Sequence, residues 1–261
     1  MRLAFTPESG DEAHMIRGIL KLAAGAGLLV TAVACDGQPG RPDTGRPGPL
    51  AAKPETRETL KAEQFRSWAV ADRAAFLAGR IVAADMLFRA GEVDAARAQI
   101  AGTTQRLSAA DDGALEALGF EPARVEALVV ALELGRPEEE VAPLFADAES
   151  NLKAVLAASG AAPEDVTAFL MQLSADAYQT GVKFGDIVDA QAYQSAYGYA
   201  VTGRDLISPL DEMVYGELRL ELDILVLMWP AGGPLPDRTP APEVRMVEQF
   251  GRIKAALQAL P

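Results

Sequence analysis

Pro242-Glu-Val-Arg-Met246-Val-Glu-Gln-Phe250-Gly-Arg-Ile253-Lys-Ala-Ala-Leu257-Gln-Ala-Leu260 decides the fold class. Met246, Phe250, Ile253, Leu257 and Leu260 recur at alternating intervals of four and three. That spacing collects them on one stripe of an α-helix and would scatter them over both faces of a strand. One apolar stripe needs a body to dock on, and the same signals recur upstream. They predict helices over 54–89, 92–100, 111–118, 122–134, 137–158, 163–182, 189–201 and 209–228. Most open on Pro or on an Asp or Ser cap, as helix N-termini favour. Glu138, Glu139 and Glu140 load one first turn with the charge a helix dipole prefers there. Strand-like alternation is nearly absent. The expectation is one all-α domain over 54–261, an irregular bundle of about seven to nine helices.

Composition agrees and excludes several functions. Of 261 residues, 49% are hydrophobic and only 6% aromatic, enough for a core and poor for a β-sandwich. A net charge of −13 argues against nucleic-acid binding, which needs a basic face. One His and one Cys cannot make a multi-His metal site or an internal disulfide.

The N-terminal stretch reads as an address. Arg17 and Lys21 precede Leu22-Ala-Ala-Gly-Ala-Gly-Leu-Leu-Val-Thr-Ala-Val-Ala34, an uncharged run too short to span a bilayer, which ends on Cys35. This resembles the lipobox of bacterial lipoproteins, with Ala34 before the Cys and Ala32 where Leu is commonest. The resemblance implies that residues 1–35 are a signal peptide, that Cys35 is lipidated, and that it becomes the new N-terminus on the periplasmic face of a membrane. Asp36 would then be a signal for inner-membrane retention by likeness to some lipoproteins, and the choice between inner and outer membrane stays open. Glu8, Asp11 and Glu12 do not suit a signal peptide, so Met15 is the expected true start. A mature chain from Cys35 contains no His, which leaves no Ser-His-Asp triad and no His-bound zinc. Residues 36–53, with two Gly-Arg-Pro triplets, read as a linker reaching at most roughly 55 Å.

Two further resemblances concern the body. Leu87-Phe-Arg-Ala-Gly91-Glu-Val-Asp-Ala-Ala-Arg-Ala-Gln99 looks like one helical hairpin of a tetratricopeptide repeat, with Gly91 at the turn and no second copy at the repeat period. Extended back through Phe76 to Ile81, and joined to Asp176-Ala-Tyr178-Gln-Thr-Gly181-Val-Lys-Phe-Gly185-Asp-Ile187-Val-Asp189-Ala-Gln-Ala192-Tyr193, it also resembles periplasmic helical domains associated with iron-permease-type metal transporters. Asp176, Gly185, Ile187 and Tyr193 fit that pattern, while Arg80 stands where His is common and Ala192 where Glu is usual. The resemblance implies an accessory role in metal-ion uptake, with an envelope protein or transporter as partner.

Read on their own terms, residues 170–200 form a helical hairpin with Gly185 at the turn and Asp189 as cap. Tyr193 and Tyr197 share a stripe that Tyr178 faces. They either pack between helices or line an aromatic ligand pocket. In Ser208–Trp229, Glu217 and Glu221 lie four apart and are expected on the apolar face with Leu220 and Ile224. Such a pair is paired by Arg from a neighbouring helix, opens to solvent, or forms a carboxylate site for a hard cation. Acid/base catalysis by the pair is the enzymatic alternative. The leading expectation is non-enzymatic: a lipid-anchored helical domain that binds a ligand or partner, its candidate site residues being Glu217, Glu221, Asp176, Tyr178, Tyr193 and Tyr197. The competing one is an envelope scaffold using its hairpin as a docking groove.

Overall fold

A computed structural model describes residues 63–109 and 113–261. The expected signal peptide, Cys35, the expected linker and the start of the first expected helix lie outside the described residues. These residues fall in one compact unit, 53–261. Among them are a helical stretch over 63–67 and eight longer α-helices: α1 (Val70–Arg89), α2 (Val93–Ala109), α3 (Pro122–Glu133), α4 (Glu138–Ser159), α5 (Pro163–Gly181), α6 (Ala190–Ile207), α7 (Glu212–Leu227) and α8 (Glu243–Gln258). A 3-10 turn, Glu116–Leu118, precedes α3. The only strands among the described residues are β1 (Val182–Lys183) and β2 (Asp186–Ile187), antiparallel between α5 and α6. The protein is all-α, as expected.

The centre is α1. Thirteen of its residues are buried, Ala71, Ala75, Leu77 and Ile81 among them, and they lie all around the helix. A helix buried all round must be small-sided, because neighbours approach from all angles; six of its buried residues are Ala. α2, α4, α5 and α6 all pack on it. α1 and α6 cross where Gly79 meets Gly198: a Cβ on Gly198 would run into the Gly79 carbonyl oxygen, and one on Gly79 would lie 2.5 Å from the Tyr199 ring. α5 and α6 close in the same way, with a Cβ on Gly181 falling 2.5 Å from the Tyr193 nitrogen. Glycine lets these backbones come nearer than side chains would allow.

Several boundaries depart from expectation: α2 runs on to Ala109 and α6 to Ile207, past the ends expected at 100 and 201. The helix expected over 54–89 is interrupted after residue 67, since Trp68 bends out to stack on Phe65, Phe76 and Phe169. The helix expected over 111–118 is, in its described part, a single 3-10 turn that seats Leu115 in the core. α7 starts later than expected, because Asp211 caps it by accepting from the Met213 N–H at 2.7 Å, so Ser208 and Pro209 belong to the preceding turn. Asp189 caps α6 as expected, accepting from Ala192 at 3.0 Å.

The final seam docks with two changes of membership. Met246, Gln249, Ile253 and Ala256 are buried, while Phe250 and Leu257 pack at its edge. No described helix is long and apolar enough to cross a membrane.

Candidate functional site

The six residues expected to form a site separate into three environments. Tyr178, Tyr193 and Tyr197 converge, joined by Trp229 from the end of α7. Ring centroids are 5.8 Å apart for Tyr178–Tyr193, and 5.6 Å for Trp229 to both Tyr178 and Tyr197. The Tyr178 hydroxyl donates to the Ala241 carbonyl at 2.5 Å. The Tyr193 hydroxyl and the Trp229 indole N–H are buried without a hydrogen-bond partner among the described residues. Burial pushes the Tyr178 and Tyr193 phenols far up, so both stay neutral at any physiological pH. Asp176 turns away from this cluster, exposed, and accepts from Gln172 at 2.9 Å.

Glu217 and Glu221 do not lie on the buried face of α7. The buried line of α7 is Leu218, Leu222, Leu225 and then Trp229, which leaves Glu217, Leu220 and Ile224 exposed. Leucines and valines surround the second half of this helix, so its sequence contains two apolar stripes, and α6 and α8 cover only one of them. Glu221 is taken: its Oε2 accepts from Gln249 at 2.7 Å and from Arg252 at 3.2 Å. The expected two-carboxylate site is therefore an inter-helix pairing for Glu221 and a solvated side chain for Glu217. Among the described residues, no group of three or more acidic, His or Cys side chains is placed to hold a metal ion.

Arg80 lies in a buried polar cluster. It donates to the Ser195 hydroxyl at 2.8 Å and to the Gln99 carbonyl at 2.9 Å. Ser195 and Gln191 of α6 hold Gln99 and the α2 backbone in return. Gly102 makes room, since a Cβ there would lie 2.6 Å from the guanidinium. This cluster ties α1, α2 and α6 together.

The most unusual electrostatics lie elsewhere. α4 and α6 both rest on α1, and between them is a cavity of about 200 Å³. Ala78, Val82, Leu156 and Leu206 give it apolar surfaces; Glu149, Lys153, Thr202 and Asp205 give it polar ones. The Glu149 carboxyl is pushed up from 4.5 to about 7. Burial is the main cause; the Asp85 charge and, more weakly, Asp205 add to it, while Arg89 acts in the opposite sense. Asp85 gives one oxygen to Arg89 at 2.8 Å, and its other oxygen is buried without a partner among the described residues. Asp205 is held by Arg204 at 2.7 Å. Carboxylates therefore converge here from α1, α4 and α6, with Lys153 in the lining and Arg89 and Arg204 paired to Asp85 and Asp205.

Sequence reasoning missed this cleft. One signal was present. Glu149, Lys153 and Leu156 form a stripe beside the buried stripe Ala148, Leu152 and Val155, so a carboxylate had to sit at the margin of the core. What could not be read was that Asp85 and Asp205, far away in the chain, arrive at the same margin.

No family model, no curated protein and no solved structure matches this chain.

Proposed function

We propose that this chain is a lipid-anchored periplasmic binding domain that takes a cationic ligand in the Glu149 cleft, without catalysis. The observation that carries the reading is the cleft itself, in which Glu149 and Asp205 share a cavity with four apolar residues and burial, with the Asp85 charge, raises the Glu149 carboxyl to about 7. A bound cation relieves what raises it, because opposite charge restores the ionised form. Four apolar lining residues favour an organic ammonium with a hydrocarbon body over a bare metal ion, which would want three or more oxygen ligands. The lipobox ending at Cys35 supports the anchor. The likeness to iron-permease-associated domains supports a role as an uptake accessory, with the cation as cargo.

The test is titration of the mature chain with hexylammonium, calcium and ferric ion, followed by calorimetry at several pH values. Hexylammonium should bind more tightly as pH rises through about 7 and should release protons on binding. Glu149→Gln should abolish the proton release. Ferric or calcium binding without hexylammonium binding would turn the reading toward a metal cargo at another place, and no binding by any of them would end it.

A second reading, the envelope scaffold, is favoured by one feature of α7. Met213, Leu220, Ile224 and Leu227 form an exposed apolar stripe at helical spacing, with Leu227 80% exposed.

A further inference from the structure

The link between α5 and α6 contains one residue that local folding does not explain. Val182 pairs with Ile187 and Lys183 with Asp186, which leaves Phe184-Gly185 as a two-residue hairpin loop. Both loop residues have positive φ, 56° for Phe184 and 85° for Gly185. Tight hairpins of this kind require that conformation, and Asn, Asp or Gly adopt it cheaply. Phenylalanine does not, and here its ring gains nothing from the fold, being 98% exposed at the outermost point of the hairpin. Val188, just beyond β2, is also largely exposed. A strained backbone presenting an uncovered aromatic ring is a feature whose compensation must come from outside the chain.

We infer that the Lys183-Phe184-Gly185 tip is an interfacial wedge that inserts the Phe184 ring into the lipid surface to which the chain is tethered. This rests on the lipid anchor at Cys35 proposed above. A bilayer is favoured over a protein pocket because the tip offers one aromatic ring, with only Val188 as a second exposed apolar side chain beside Lys183, Asp186 and Asp189. A protein interface needs a broad complementary area around such an anchor. A headgroup region needs none: it accepts an aromatic ring at the level of the acyl boundary while a neighbouring Lys stays at the phosphates.

Geometry permits it. Trp68, five residues into the described chain, stacks on Phe169 near the start of α5 at 5.1 Å. The hairpin follows the other end of α5, about 18 Å along the helix from Phe169. Residues 36–53, the expected linker, reach up to roughly 55 Å, so the tether spans that distance. A tethered tip also meets the surface at high effective concentration, and one ring then suffices where a free protein would need several.

The experiment uses the full chain carrying Phe184→Trp, expressed with its own leader and reconstituted into zwitterionic vesicles whose acyl chains carry bromine at graded depths. Mass measurement of the N-terminal peptide reports lipid on Cys35 independently of fluorescence. The parent chain, whose Trp68 and Trp229 pack within the body, supplies the background. The wedge predicts blue-shifted added emission, quenched most strongly by bromines within ~5–10 Å of the acyl boundary. Lipid on Cys35 with water-exposed, unquenched emission would overturn the wedge and leave the anchor standing. Absence of lipid on Cys35 would overturn the anchor reading, and the wedge with it.

Discussion

Phe184 is expensive for the isolated domain, and the direction of the effect can be measured. Asn at this position adopts φ > 0 readily and exposes no ring, so Phe184→Asn should raise stability by about 1 kcal/mol in urea unfolding of the vesicle-free protein. A loss of stability instead would mean that the ring is covered in solution. The sequence revealed half of this hairpin. Gly185 marked a turn and Asp189 a cap, because those residues act locally through their own backbone. Phe184 went unread because a phenylalanine in this stretch reads as core, and only the register Lys183–Asp186 shows that it stands at the apex. Glu221 was legible as a carboxylate needing a partner, but its partners Gln249 and Arg252 lie on another helix. Which helix would supply them is a question of packing, and periodicity does not answer it.

At the scale of elements, the crossing of α1 and α6 is the most sensitive contact. Gly198→Ala places a methyl group against the Gly79 carbonyl and within 2.9 Å of the Ala83 methyl. Backbone rather than a flexible side chain must move, so the cost should reach about 3 kcal/mol, the upper part of the range for overpacking. Gly251→Ala, with open space around it on the outer face of α8, is the matched control and should be neutral or slightly stabilising by helix propensity. If Gly198→Ala melts with the parent, the two helices do not approach as closely as described. Helix existence was legible nearly throughout, because Pro and Asp starts and Gly stops act within one turn. Helix faces were less so. α7 contains two apolar stripes and α1 is apolar all round, so neither declares which side meets which neighbour.

Across the whole molecule, the Glu149 cleft makes stability depend on pH in a definite sense. The folded chain retains the Glu149 proton up to about pH 7, while the unfolded chain releases it near its ordinary 4.5. Folding therefore takes up a proton between those values, so this contribution is fully present below 4.5 and is lost as pH rises through 7. Glu149→Gln should flatten the melting temperature against pH over that window relative to the parent, and should melt higher than the parent above about pH 8. Identical profiles would mean that Glu149 is solvated. Adding hexylammonium to the parent should restore the loss above neutrality if the cleft takes cations.

The place of α1 has a further consequence in time. It is the first complete helix of the described domain, yet Arg80 waits for Ser195, 115 residues later in the chain, to complete its hydrogen bonds. Every neighbour but α2 is also distant in sequence, so a nascent chain ending before α6 leaves one side of the Ala-rich central helix uncovered. Such long-range closure slows folding. A polypeptide that cannot finish its core until most of it has been synthesised stays threadable until late, an advantage on the export route proposed for this chain.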